Sequence, residues 1–92
     1  MILATLLLSP YAGTYDGFWR LGFLTPKPCR VRITPSGHLA IRTEHQIRMG
    51  RIQPDGTFYA GEWRGQFYWQ GSTLRADWRV GLQAGNLWLT RR

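Results

Sequence analysis

The sequence predicts an all-β fold: one antiparallel meander of seven or eight strands, curled into a small closed or nearly closed barrel, with a short β-sandwich as the alternative. Three observations predict it. Turn signals recur at short intervals. The runs between them are rich in β-branched and aromatic residues, as strands prefer. Within those runs apolar and polar side chains alternate with a period of two, while no stretch of ten or more residues carries a helical period.

The first segment, Ile2 to Leu8, reads ILATLLL and ends at Ser9-Pro10. No basic start, longer apolar stretch or small-residue cleavage site of a secretory leader is clear in it, so it reads as a buried first strand or a short packed segment, with a trimmed leader or an interface segment as the alternative. The first clear strand places Trp19, Leu21 and Phe23 on one face and Phe18, Arg20 and Gly22 on the other. Cys29, Val31 and Ile33 then oppose Arg30, Arg32 and Thr34, and Pro35-Ser36-Gly37 marks a turn. The run HLAIR sets Leu39 and Ile41 against His38, Ala40 and Arg42. Ile47 and Met49 oppose Arg48. Pro54-Asp55-Gly56 precedes TFYAGEW, Gln70-Gly71-Ser72 precedes TLRADWRV, and Ala84-Gly85-Asn86 opens NLWLT. In the last two strands Leu74, Ala76, Trp78 and Val80 form one face, as do Leu87, Leu89 and Arg91. Proline presets a turn angle, glycine accepts positive φ, and Asp or Ser bonds the nearby backbone.

Alternation of this kind means strands with one buried and one wet face. A meander of seven or eight strands leaves two open edges unless it closes. Gly17, Gly22, Gly50, Gly61 and Gly65 are the positions where such a sheet bends. A faint repeat is also present: Arg32 to Gly37 (RITPSG) aligns with Arg51 to Gly56 (RIQPDG), which reads as one hairpin chemistry used twice.

With 92 residues, residues 1–92 read as a single β domain. The apolar fraction of 43% excludes a disordered chain, and no apolar run is long enough for a membrane-spanning helix. The single cysteine excludes an internal disulfide or a multi-cysteine zinc site. These features, with the missing leader, read as a cytoplasmic protein. The formal charge is +7, and all basic residues but Lys27 are arginine, whose planar fork grips carboxylates and phosphates and stacks on rings. Five Trp, four Tyr and four Phe are more rings than a small core readily hides, so some belong to a surface or a cavity.

Gly17-Phe18-Trp19 on the first strand resembles the G-x-W signature of the lipocalins and the wider calycin group. The resemblance covers only the two ends of the chain. It implies an eight-stranded barrel with a small apolar-ligand cavity, and it implies a barrel-floor pair in which Arg91, near the end of the last strand, packs across Trp19.

Catalytic chemistry finds little purchase. The acids Asp16, Glu44, Asp55, Glu62 and Asp77 are scattered. Glu44 and His45 are adjacent, which on a strand sends them to opposite faces. His38 and His45 lack a third ligand, so no metal and no cofactor is expected. Cys29 has cationic neighbours, yet its parity turns it toward the core as a structural thiol. The chain contains no nucleophile elbow, phosphate loop or dinucleotide fingerprint, so the sequence points away from an enzyme.

Binding is the class that remains. Arg30, Arg32, Arg42, Arg48, Arg75 and Arg79 fall on the wet face of their strands, where neighbouring strands gather them into a basic sheet surface. Trp63, Trp69 and Trp88 are the expected aromatic contacts, since arginine and aromatic rings are enriched at interfaces. The sequence therefore predicts a binding module that recognises an anionic partner, a protein or a small acidic ligand, through Arg30, Arg32, Arg42, Arg75, Arg79, Trp63, Trp69 and Trp88. One alternative is single-stranded nucleic acid, whose phosphates arginine rows track while exposed rings such as Tyr59, Tyr68 and Trp88 stack bases. Another is a calycin-like barrel holding a small apolar ligand. An open edge strand would also allow a homo-oligomer.

Overall fold

The computed structural model describes residues 9–92, so the expectation for residues 2–8 lies outside the described residues. Eight strands follow one another: β1 (Gly13–Leu21), β2 (Lys27–Ile33), β3 (His38–Arg42), β4 (Ile47–Ile52), β5 (Thr57–Ala60), β6 (Trp63–Gln70), β7 (Thr73–Val80) and β8 (Gln83–Arg91). Each pairs antiparallel with the next, and β8 returns to β1 in a register running from Tyr15 opposite Arg91 to Leu21 opposite Gly85. The result is a closed eight-stranded meander barrel with no helix among the described residues. Closure pairs both edges of the sheet. The open edge on which strand-mediated self-association was expected is therefore not there among the described residues, and the sandwich alternative is not formed.

The two halves of the repeat fold alike. Thr34 N–H donates to His38 O and Gly37 N–H to Thr34 O, both at 2.9 Å; Gln53 and Gly56 make the matching bonds to Thr57 and Gln53 at 2.8 Å. Gly37 and Gly56 take the left-handed φ values of 90° and 93° that these turns demand. The remaining tight turns are Gly61-Glu62, Gly71-Ser72 and Gly81-Leu82, with glycine at the first central position as in a type II′ hairpin.

Two turn expectations are corrected here. Ala84-Gly85-Asn86 lies inside β8, because the chain has already turned at Gly81-Leu82. TFYAGEW is broken at Gly61 into β5 and the start of β6. A third correction is Phe23: β1 ends at Leu21, and Phe23 stands fully exposed in the following loop rather than on the core face.

Tyr15, Val31, Ile33, Leu39, Ile41, Phe58, Phe67, Leu74, Trp78, Leu87 and Leu89 fill the interior, as expected for an eight-stranded barrel just wide enough for its own side chains. β4 reverses the expected parity. Leu39 and Ile41 point inward, and directly opposed residues share a face, so their partners Gly50 and Arg48 point inward too. Ile47 and Met49 are consequently 54% and 69% exposed on the outer wall.

Gly17, Gly50 and Gly65 sit at inward positions where the next strand comes so close that a Cβ would meet the backbone carbonyls of Trp88, Tyr59 and Asp77. These three are the sharp corners of the wall. Gly22 and Gly61, also expected to be bends, are turn residues instead.

Connections after β1, β3, β5 and β7 gather at one end, which Trp78 approaches from inside. The other end is stoppered by Tyr11, whose ring stacks on Trp69 at 6.4 Å and 8°.

Candidate functional site

β7, β8, β1, β2 and β3 are consecutive around the barrel, and their outward residues lie side by side. Phe18 on β1 is opposite Trp88 on β8 and Pro28 on β2; Trp88 is in turn opposite Arg75 on β7. Arg30 on β2 is opposite Asp16 and Arg42. These side chains line an open groove of about 930 Å³ that includes Phe18, Pro28, Trp88, Arg30, Arg42, Asp16 and Glu44. Its floor is apolar and aromatic and its flanks carry charge, the composition of a recognition groove.

Trp88 is the centre of that floor. The Arg20 and Arg75 guanidinium carbons lie 5.1 and 5.4 Å from its ring centroid. Such stacking holds two long side chains flat against the wall while leaving hydrogen-bonding edges for a partner. Arg75 spends one edge on Gln70 Oε1 at 2.8 Å. On the opposite flank Arg30 Nε donates to Asp16 Oδ1 at 2.9 Å, and Arg92 Nε lies 3.1 Å from Oδ2 of the same carboxylate. Among the described residues, Arg20, Arg42 and Arg75 have no carboxylate within salt-bridge range.

The predicted contacts divide as follows. Arg30, Arg42 and Trp88 line the groove and Arg75 flanks it. Arg32 lies outward on β2 beside Thr14 and Ala40, outside the groove, and Arg79 lies outward near the C-terminal end of β7, between Arg64 and Ala84. Trp63 is no surface contact: it faces inward, 3% exposed, with its ring stacked 3.7 Å from that of Trp78. Trp69 has the same inward parity, at the mouth beside Tyr11, but stays 38% exposed there. Both shifts follow from β6 beginning at Trp63 after the Gly61 turn, which sets the parity of the whole strand.

Trp19 and Arg91 do not meet. Trp19 is opposite Leu87, four residues from Arg91 along β8, and packs on Trp63 and Trp78 at 5.7 and 6.4 Å. Arg91 lies over the rings of Tyr15 and Trp69, each 5.5 Å away, and its Nη2 donates to the Tyr15 hydroxyl at 3.2 Å. That hydroxyl donates onward to Tyr11 O at 2.6 Å. Arg48, expected on the wet face, instead points inward and covers Trp63 at 4.8 Å.

Sequence reasoning missed a second cationic feature. His38, Arg51, Tyr59, Arg64 and Arg79 are successive cross-strand partners on the outer wall of β3 to β7. The signal was in the sequence, since all five share the outward parity of their strands. Only the register shows that they form one row.

Cys29 is buried at the base of the groove, and burial, with the Asp16 charge adding to it, pushes its thiol up to about 12. At neutral pH it stays protonated and is a poor nucleophile. No group of three His, Cys, Asp or Glu residues able to hold a metal occurs among the described residues. Comparison with protein-family models, curated proteins and solved structures finds no match.

Proposed function

We propose that this chain is a non-catalytic binding module that takes an extended acidic protein segment in the groove between β7 and β3. The observation that carries the reading is the aromatic floor of Phe18 and Trp88 lying between arginines that no carboxylate of the described residues engages, Arg20 and Arg75 on one side and Arg42 on the other. Four interstrand steps make the groove roughly 19 Å wide, about six residues of extended chain. Apolar side chains of the partner would cover Phe18, and its carboxylates would take the free guanidinium edges. A small acidic ligand would span only one flank. The interior, filled by Tyr15, Phe67 and Trp78, favours the wall over the lumen as the binding surface.

The test is fluorescence anisotropy with a labelled peptide alternating Asp with Leu and Phe, against a control with Lys in place of Asp. The expected result is binding of the acidic peptide alone, weakened at least tenfold by Phe18→Ser with Arg42→Gln. Equal binding by parent and variant overturns the groove.

A second reading rests on the row His38–Arg51–Tyr59–Arg64–Arg79, which would track a single-stranded nucleic acid by phosphate contacts with a ring for stacking. It predicts affinity for an oligonucleotide that falls steeply with salt and is lost in R51Q/R64Q/R79Q with the groove intact.

A further inference from the structure

The end of the barrel where Gly81-Leu82 turns carries side chains that no turn requires. Phe23 and Leu82 are fully exposed and Leu24 is 64% exposed. Turn tips ordinarily carry Gly, Asn, Asp or Ser, so three large apolar groups at adjacent tips need a reason. They are adjacent because Gly22 N–H donates to Ala84 O at 2.7 Å, which ties the β1–β2 loop to the start of β8. Leu24 N–H donates back to Leu21 O at 3.0 Å, so the loop is folded and holds its tip outward.

A cationic collar sits behind the tips. Phe23 shares a hollow of about 530 Å³ with Arg20 and Arg79. Lys27 opens β2 directly across from Trp19, so it stands exposed at the rim of the mouth with the parity of Trp19 rather than on the outer wall with Arg20. Asp77, which also lines the hollow, accepts a hydrogen bond from Asn86 Nδ2 at 2.9 Å. None of Arg20, Lys27 and Arg79 has a carboxylate within salt-bridge range among the described residues.

From this juxtaposition we propose that the Phe23–Leu24–Leu82 end of the barrel docks on an anionic bilayer surface, with the three apolar tips entering the headgroup region and Arg20, Lys27 and Arg79 meeting the lipid phosphates and carboxylates. Glu44 and Glu62 stand on the β3–β4 and β5–β6 tips of the same end, so the charge complementarity that selects this occupant belongs to the side formed by β7, β8, β1 and β2, and shape selects it as well. Three protruding tips on a convex end fall far short of the roughly 800 Å² per partner of a stable protein complex. A bilayer interface deforms around isolated apolar side chains and adds about fivefold in partitioning for each Lys or Arg near it. The two surfaces share Arg20, which lies over Trp88 and also lines the tip hollow, but the tips, Lys27 and Arg79 stand outside the groove, whose floor and flanks are Phe18, Trp88, Arg42 and Arg75.

The experiment is co-sedimentation of the full chain with mixed phosphatidylserine–phosphatidylcholine vesicles and with pure phosphatidylcholine vesicles. Binding is expected to the mixed vesicles only, to weaken with salt, and to fall at least about tenfold in F23S/L24S/L82S, since a withdrawn Leu or Phe is worth about tenfold or more. K27Q/R79Q should lower it by a similar factor. Phe23 and Leu82 are fully exposed and Leu24 mostly so, so circular dichroism of the tip variant should match the parent, and its acidic-peptide anisotropy separates this surface from the groove. Parent-like vesicle binding by the tip variant overturns the proposal, as does a parent chain that ignores the mixed vesicles or binds pure phosphatidylcholine equally well.

Discussion

Gly17→Ala is the sharpest test of barrel closure. Gly17 lies in β1 opposite Leu89 of β8, and it also lines the groove beneath Phe18 and Trp88. A methyl group there overlaps the Trp88 carbonyl and crowds Leu89 Cα, all backbone atoms of the closing strand. Its φ is not in the left-handed region, so the cost is collision alone. No side chain can swing aside, so β1 and β8 must separate. Overpacking costs about 1–3 kcal/mol, and losing two ladder hydrogen bonds adds about 2 kcal/mol. The sum, about 3–5 kcal/mol, corresponds to a fall in Tm of roughly 12–40 °C for a domain of this size. Gly71→Ala is the control: its φ is 61° and nothing lies within 4 Å of the added methyl, leaving only a conformational cost of about 1–2 kcal/mol. Thermal unfolding by circular dichroism reads both, and amide exchange at Phe18 reads the seam directly. If Gly17→Ala melts no lower than Gly71→Ala, with Phe18 still protected, the close approach of β1 and β8 is wrong, and so is the aligned groove floor that depends on it.

Two further outcomes follow from the interior. Phe67 is fully buried, 4.6 Å from the ring of Phe58, so Phe67→Ala should cost about 3–5 kcal/mol in chemical denaturation, and a loss below about 1 kcal/mol would mean the lumen is not packed as described. Cys29 should resist thiol reagents in the native state at pH 8 and react once the chain is unfolded. Its native thiol is pushed from about 9 to about 12, so between those values the unfolded chain releases a proton that the native chain keeps. Stability must then fall as pH rises through that window, by up to roughly 1.4 kcal/mol per pH unit, relative to Cys29→Ser. Denaturant midpoints of the two proteins that run parallel from pH 8 to 11 would contradict the burial of this thiol.

Much of the fold was legible because face parity is a local property. Through the middle of β2, β3, β7 and β8 every second residue is apolar, and Val31, Ile41, Leu74 and Leu89 lie inside as that pattern requires. The outward set followed from the same parity, which is why Arg30, Arg42, Arg75 and Trp88 were found. β4 marks the limit of such reasoning. Its apolar Ile47 and Met49 suggested one face, but pairing with Leu39 and Ile41 turned Gly50 and Arg48 inward instead. Register is set by the partner strand, which the local pattern does not contain.

The sequence by itself determined the strands, most of their faces and the shared chemistry of the two Pro-containing turns, because each depends on residues within a few positions of one another. Only the tertiary structure decided closure, which β1 and β8 achieve across the whole length of the chain. Closure set Phe18 beside Trp88 and sent Trp19 and Arg91 to opposite ends, while the registers of successive hairpins aligned Arg51, Tyr59, Arg64 and Arg79 into one row. It also tied Phe23 next to Leu82 at a single end. Those are relations between strands, some distant in sequence and some adjacent, and they exist only once the hydrogen-bond ladders have chosen their register.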